Sequence, residues 1–147
     1  MAKVNIDVIR QISGDINYAL AKLEKISHLH EDEFLHSEEK IDSAKYNLIV
    51  VIEGSIDICN HIVSRMGGRA PQDYADCFEV LRELSIFSSE FIDKLKSMAK
   101  FRNLIVHRYW KVDNKKVFAI INNNIADIKE YLQGIDQYLS KNIYHFT

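Results

Sequence analysis

An arginine, a histidine and a tyrosine lie close together in the second half of the chain, at Arg102, His107 and Tyr109, in the pattern RxxxxHxY. The arginine guanidinium offers a rigid fork of donors that matches the oxygens of a phosphate. The histidine can donate or accept a proton, because its unperturbed pKa lies near neutrality. Arg102 and His107 are therefore suited to cleaving an RNA phosphodiester, with the 2′-hydroxyl as the attacking group and without a metal ion or another cofactor.

Helical geometry limits how these residues can meet. Five residues of an α-helix turn through about 140°, so Arg102 and His107 do not share a face of a straight helix, whereas Tyr109 shares the face of Arg102. A joint site requires that the helix bends or ends within the motif, or that two copies of the segment meet across a symmetric dimer interface. We favour the dimer.

Spacing alone leaves a structural alternative open, because an arginine and a histidine five residues apart are common in helical proteins. In this alternative Arg102 is a surface cation and His107 is a partly buried polar residue. Tyr109 then packs with Trp110 and closes the end of a helical bundle.

Asp57 and His61 are four residues apart and share a face of a predicted helix. The aspartate could orient the histidine or approach Arg102 from the neighbouring helix, and Glu53 lies one turn earlier on the same stripe. The same residues could equally form a structural polar pair inside the bundle. The histidines and carboxylates of residues 28–36 lack any established ligand spacing, so we predict no metal site.

Positive charge is concentrated around the motif. Residues 94–116 contain eight basic residues against Asp113 as their single acidic one, a net charge of +7 in a chain whose total is −2. Such a segment could hold a polyanion locally, while the acidic remainder of the protein suppresses indiscriminate binding. A solvated, charged helix face would have the same composition.

The composition predicts one helical domain that spans residues 1–147. Hydrophobic residues make up 47% of the chain, and one proline and five glycines leave long stretches without helix breakers. Cys59 and Cys77 have neither CxxC spacing nor a signal peptide beside them, which indicates reduced thiols in a cytoplasmic protein. No apolar run approaches the roughly 20 residues of a membrane-spanning helix, so we expect a soluble protein without membrane contact.

Apolar periodicity predicts an all-α fold, an up-and-down antiparallel bundle of four main helices plus a short one. Residues 28–33 interrupt the first apolar stripe and form a connection or a short extra turn. The first predicted helix runs from about Val4 to Ser27, and the second is capped by Ser37, reaches Met66 and ends at Gly67-Gly68. The short helix follows Pro71 and Asp73 and runs from Tyr74 to about Leu84. The next is capped by Ser88 or Ser89 and finishes within 101–110, and the last runs from Phe118 to Leu139 after a turn at 112–116.

The segment RNLIVHRY, residues 102–109, resembles the RNase motif of the HepT toxins, which belong to the HEPN superfamily of helical domains. The segment IDICNHI, residues 56–62, is similar to the second-helix signature of the same family, and the spacing of elements fits from end to end. Arg108 departs from the acidic or neutral residue expected at its position. The resemblance implies a single HEPN-type domain over the whole chain.

The resemblance also implies an activity, that of an endoribonuclease toxin of a toxin–antitoxin pair. Such a protein cleaves RNA without a metal ion, at a paired site between the two protomers of a homodimer. Under this interpretation Arg102 and His107 are catalytic, and Asn103, Asp57 and His61 are candidate supporting residues.

A control mechanism comes with the same family. Its partner nucleotidyltransferase, the antitoxin MntA, transfers AMP from ATP to the tyrosine of the motif, a position that Tyr109 occupies here. AMP on Tyr109 would add negative charge and bulk within reach of Arg102, where a phosphate of the RNA should bind. The site would then be blocked by a mimic of its substrate.

The alternative function is a non-catalytic HEPN module that binds a nucleotide or a partner protein. Such a module would keep the bundle without needing the motif, so the intact Arg102, His107 and Tyr109 favour the enzyme. A purely structural helical dimer would explain the apolar stripes, but not the concentration of basic residues at one helix end.

Overall fold

The computed structural model describes residues 3–66 and 69–142, and every element of regular structure within these ranges is a helix. The all-α prediction is confirmed. A single 3-10 turn, Tyr109–Lys111, lies between α5 and α6. The α-helices are, in chain order, α1 (Ile6–Ser27), α2 (Glu31–Leu35), α3 (Glu38–Met66), α4 (Tyr74–Glu83), α5 (Ser89–His107), α6 (Asn114–Asn123) and α7 (Ile125–Lys141).

Three of these helices begin at the side-chain caps that the sequence predicts. The side-chain oxygens of Ser37, Asp73 and Ser88 each accept a hydrogen bond from the backbone amide three residues further on, at 3.3, 2.7 and 3.2 Å. Each bond satisfies a backbone donor that the first helical turn leaves without a partner. The C-cap predicted at Gly67-Gly68 lies outside the described residues.

The prediction of one continuous final helix is wrong, because α6 and α7 meet at Asn124, whose φ and ψ are −120° and −11°. Residues 122–124 are three successive asparagines, and their side chains compete for local backbone and side-chain partners. The Asn122 amide donates to the Phe118 carbonyl at 2.9 Å, and the Asn124 amide donates to Asp127 at 3.2 Å. The apolar period nevertheless continues through the break, since Ile121 and Ile125 are both buried.

Two short segments differ from the prediction in their boundaries. The polar connection after α1 contains the start of α2, which buries Phe34 with its ring centroid 5.0 Å from that of Phe118. The turn predicted at 112–116 is shorter, because Asp113 accepts from the Lys115 amide at 2.9 Å and starts α6 at Asn114. Aspartate is a favoured cap, so the helix begins as soon as it is available.

The core is built around α3, which packs against α1, α4, α5, α6 and α7. By length and composition α3 is apolar enough to cross a membrane, the one helix of the described ranges for which this holds. However, 56% of its most apolar 18-residue window is buried inside the bundle. This burial is typical of the core helix of a soluble protein.

Gly54 lies where α3 crosses α1. A Cβ atom added there would stand 2.7 Å from Cγ1 and 2.9 Å from Cδ1 of Ile16, whose side chain is fully buried. Because a packed core resists added volume, we expect Gly54→Ala to lower the free energy of unfolding by about 1–3 kcal/mol, measured by thermal or urea denaturation.

Gly14 is the matched control, since it lies in α1 and an added Cβ would meet nothing within 4 Å. Gly14→Ala is expected to stabilise the protein by about 1 kcal/mol, the difference in helix propensity between the two residues. Equal stability of the two alanine variants would contradict the close packing of α1 on α3.

Candidate active site

Helix α5 ends inside the motif. His107 is its last residue, Arg108 leaves the helix with φ −135° and ψ 40°, and Tyr109 begins the 3-10 turn. This is one of the two geometries that the sequence leaves open. Tyr109 lies outside α5, so the argument that places it on the helical face of Arg102 does not apply.

The guanidinium of Arg102 is held by neighbours from three sides. Its Nε and Nη2 donate to Oε1 of Glu53 on α3, the former at 3.0 Å, and its Nη1 donates to Oδ1 of Asn103 at 2.9 Å. The ring of Tyr74, the first residue of α4, lies 5.0 Å from the guanidinium carbon. With its side chain only 14% exposed, Arg102 has a fixed position in which its charge is largely compensated by Glu53.

His107 has the opposite environment. Its side chain is exposed at the end of α5 and makes no hydrogen bond to any of the described residues. Leu104 and Val106 are 40% and 42% exposed beside it, and Trp110 is 92% exposed. The imidazole is therefore accessible to a bound molecule, and the apolar side chains beside it are exposed to solvent in the single chain.

Tyr109 packs against the first half of α3. Its hydroxyl donates to Oδ1 of Asp42 at 2.6 Å, and its carbonyl accepts from Nζ of Lys45 at 2.9 Å. The same Nζ lies 4.2 Å from the centre of the Tyr109 ring. Burial raises the pKa of Tyr109 to about 12, and the hydrogen bond to Asp42 and the charge of that carboxylate act in the same direction. The phenol is therefore protonated at neutral pH.

Lys45 is a buried cation, with only 4% of its surface exposed. Burial lowers the pKa of its ammonium group, and the charge of Asp42 acts in the opposite direction. Sequence reasoning missed Asp42, Lys45 and Tyr74. For Lys45 a signal was present, because it lies among Ile41, Ala44 and Leu48 on the stripe that forms the core face of α3.

The two predicted supporting residues on α3 have different surroundings. Asp57 is exposed. Its pKa is raised, chiefly because its carboxyl group is partly desolvated and secondly because of the charge of Glu53. His61 accepts a hydrogen bond through Nε2 from the backbone amide of Asn5 at 2.9 Å, beside the start of α1. Burial and the charge of Arg65 lower the pKa of His61.

The candidate residues thus form two groups, one beside Glu53 of α3 and one beside Asp42 of the same helix. Glu53, Asn103 and Tyr74 surround Arg102, whereas Asp42 and Lys45 surround Tyr109. No hydrogen bond or ion pair joins Arg102 to His107 within the described part of one chain. A fixed arginine and an exposed imidazole therefore lie on the last turns of one helix, about 140° apart around its axis.

Comparison with known proteins shows which proteins this chain is similar to. The family model described as Ribonuclease HepT-like matches residues 16–135, which include the whole motif. A candidate RNase of Archaeoglobus fulgidus is 32% identical over 124 residues, covering 81% of this chain and 93% of that protein. The mRNA nuclease HepT of Shewanella oneidensis is 30% identical over 94 residues, covering 64% of this chain and 71% of that protein.

The helical bundle is similar to that of the tri-AMPylated HEPN toxin of Shewanella oneidensis, solved in complex with its MNT antitoxin. The TM-score is 0.83 at 24% sequence identity, over 89% of this chain and 98% of that toxin. At this identity the likeness establishes the shared fold. The family match over most of the chain confirms the family that the sequence indicates: the chain belongs to the HepT-like ribonuclease family.

Proposed function

We propose that the protein is an endoribonuclease toxin of a HepT/MntA toxin–antitoxin pair that acts in the cytoplasm. The observation that carries the proposal is the end of α5, where Arg102 is fixed by Glu53 and Asn103 and an exposed His107 has no partner in the described chain. Membership of a ribonuclease family supports the same chemistry.

The proposed reaction uses these two side chains directly. The 2′-hydroxyl of a nucleotide attacks the adjacent phosphorus, the bond to the 5′-oxygen of the next nucleotide breaks, and a 2′,3′-cyclic phosphate forms. His107 accepts the proton of the attacking 2′-hydroxyl and delivers a proton to the departing 5′-oxygen, and Arg102 stabilises the negative charge on the phosphoryl oxygens. Because both roles are filled by protein groups, the reaction needs no metal ion.

A homodimer would allow an arginine and a histidine of the motif to reach the same phosphate. Along one helix Arg102 and His107 differ by about 140° in direction, so a single α5 does not present both to one phosphate. The exposed apolar residues Leu104, Val106 and Trp110 occupy the same end of the molecule and offer a surface on which a second copy could pack. Two motifs that meet there would form a shared site.

Tyr109 is the residue through which we propose that the activity is controlled. We propose that a partner nucleotidyltransferase of the MntA type transfers AMP from ATP to its hydroxyl, as the tri-AMPylated state of the similar Shewanella toxin supports. The modification replaces the hydrogen bond to Asp42 with a phosphodiester whose charge lies near the basic end of α5. An RNA phosphate that approaches His107 at this end of α5 then meets electrostatic repulsion.

The test of the activity is RNA cleavage by the purified protein in an excess of EDTA. We expect cleavage to persist, to yield ends with 2′,3′-cyclic phosphates, and to fail on a strand whose 2′-hydroxyls are replaced by hydrogen. Arg102→Ala, purified in parallel, controls for contaminating nucleases. Loss of activity in EDTA with recovery on adding Mg²⁺, or cleavage of the deoxy strand, would contradict the mechanism.

One observation favours a second function, a non-catalytic module that binds a partner protein. Nε, Nη1 and Nη2 of Arg102 all donate to protein acceptors in the single chain, as in a purely structural ion pair. In that case the unmodified protein would bind the nucleotidyltransferase but would cleave no RNA, and Arg102→Ala would change its stability alone.

A further inference from the structure

A groove lies between α5 and α6, and Ile52 of α3 also lines it. Its volume is about 600 Å³, within the range of pockets that hold a small ligand. The floor is apolar and consists of Ile52, Met98, Phe101 and Ile120, with Leu104 at one end. Of the residues that line the groove, only Leu104 also belongs to the exposed surface beside His107.

The rim of the groove is basic. Lys94, Lys100 and Lys116 are exposed along it, and none of the residues that line it is acidic. Nζ of Lys116 lies 5.6 Å from the centre of the Phe101 ring, and Nζ of Lys94 lies 3.9 Å from a carboxylate oxygen of Asp127, which is mostly buried. Three cations around an apolar floor match a ligand that combines anionic groups with a planar apolar body.

Helix geometry connects the groove to the proposed acid–base residue. Residues 94, 97, 98, 101 and 104 line the groove at steps of three and four, so they form one stripe along α5. His107 follows Leu104 by three residues, which places it about 4.5 Å further along the helix axis and about 60° around it. Lys100 also lines the groove and precedes His107 by seven residues, so the two share a helical face. A chain that leaves the groove over Lys100 therefore runs toward His107.

We propose that this groove binds a nucleotide of single-stranded RNA that flanks the phosphate attacked at His107. Its phosphates pair with Lys100 and Lys116 on the rim, with Lys94 further along, and its base covers the apolar floor. A single strand fits this description because its bases are free to leave a stack and contact protein. The inference rests on the proposed ribonuclease activity, to which it adds the path of the substrate.

The experiment compares Lys100→Ala/Lys116→Ala with Lys25→Ala/Lys40→Ala, which removes the same charge from exposed positions on α1 and α3. Fluorescence anisotropy measures the Kd of a labelled 2′-O-methyl oligoribonucleotide, which binds without being cleaved. Two lost phosphate contacts should reduce the slope of log K against log salt by about 1.4 and raise the Kd roughly 25-fold at 0.1 M salt. Lys25→Ala/Lys40→Ala should bind like the wild type.

The experiment distinguishes an error in the groove assignment from an error in the proposed ribonuclease activity. If the wild type cleaves RNA while Lys100→Ala/Lys116→Ala binds and cleaves equally well, the groove assignment is wrong and the activity stands. If the wild type binds the oligonucleotide through the two lysines but cleaves no RNA, binding in the groove is supported and catalysis is rejected. If Lys100→Ala/Lys116→Ala changes the sedimentation of the protein, the groove is an interface between copies and the inference is overturned.

Discussion

Replacing His107 by alanine is expected to slow RNA cleavage by roughly 10²- to 10⁴-fold, the contribution that a positioned acid–base group makes to such a reaction. The histidine is the last residue of α5, and its exposed side chain makes no hydrogen bond to the described residues, so truncating it should leave the fold intact. Single-turnover cleavage of a labelled RNA measures the effect. Circular dichroism and the Tm should match those of the wild type.

The control for this variant is His28→Ala, because His28 is also exposed at the end of a long helix, at the C-cap of α1. It should cleave RNA at the rate of the wild type. A His107→Ala protein that keeps its full rate, while Arg102→Ala is inactive, would assign the proton transfer to another group. If both variants keep full activity, the motif is structural.

Incubation with a partner nucleotidyltransferase, ATP and Mg²⁺ is expected to add AMP to the wild type and none to Tyr109→Phe. Phenylalanine keeps the ring that packs against Lys45 and removes only the acceptor hydroxyl, with its hydrogen bond to Asp42. Loss of this bond should cost about 0.5–1.5 kcal/mol of stability. Intact mass spectrometry measures the modification, and the modified wild type should lose RNA cleavage while Tyr109→Phe remains active under the same treatment.

Tyr46 provides the matched control, since it lies on the same helix as Asp42 and is 65% exposed, more accessible than Tyr109. Tyr46→Phe should gain the same number of AMP groups as the wild type. If the enzyme modified the more exposed Tyr46 instead, Tyr46→Phe would lose AMP and Tyr109→Phe would retain it. That result would reject Tyr109 as the regulated residue.

Local signals in the sequence place three of the seven α-helix starts of the described ranges at their caps. Ser37, Asp73 and Ser88 act within three residues of themselves, so a cap can be recognised without knowing the tertiary structure. The end of α5 lies within residues 101–110, as predicted, although no cap residue indicated it. The break at Asn124 was missed because apolar periodicity reports which face is buried, and that face continues from α6 into α7 with little change.

The partners of the motif residues depend on tertiary packing. Glu53 precedes Arg102 by 49 positions and Asp42 precedes Tyr109 by 67, so no spacing rule connects them. Glu53 was at least noticeable as a charge on a stripe shared with Asp57. Asp42 was indistinguishable in the sequence from any other acidic residue in the first turns of a helix.

The contacts of Arg102 have a consequence for which ligands the protein can hold. If an RNA phosphate binds Arg102 as proposed, it must replace the carboxylate of Glu53, which thus acts as a competitor supplied by the protein itself. This competitor lowers the affinity of every anion by the same factor, whatever its size. Inorganic phosphate or a free mononucleotide has no further contact to offset the loss, whereas a polynucleotide gains additional contacts on the basic surface. The ion pair would therefore set a minimum length for the substrate.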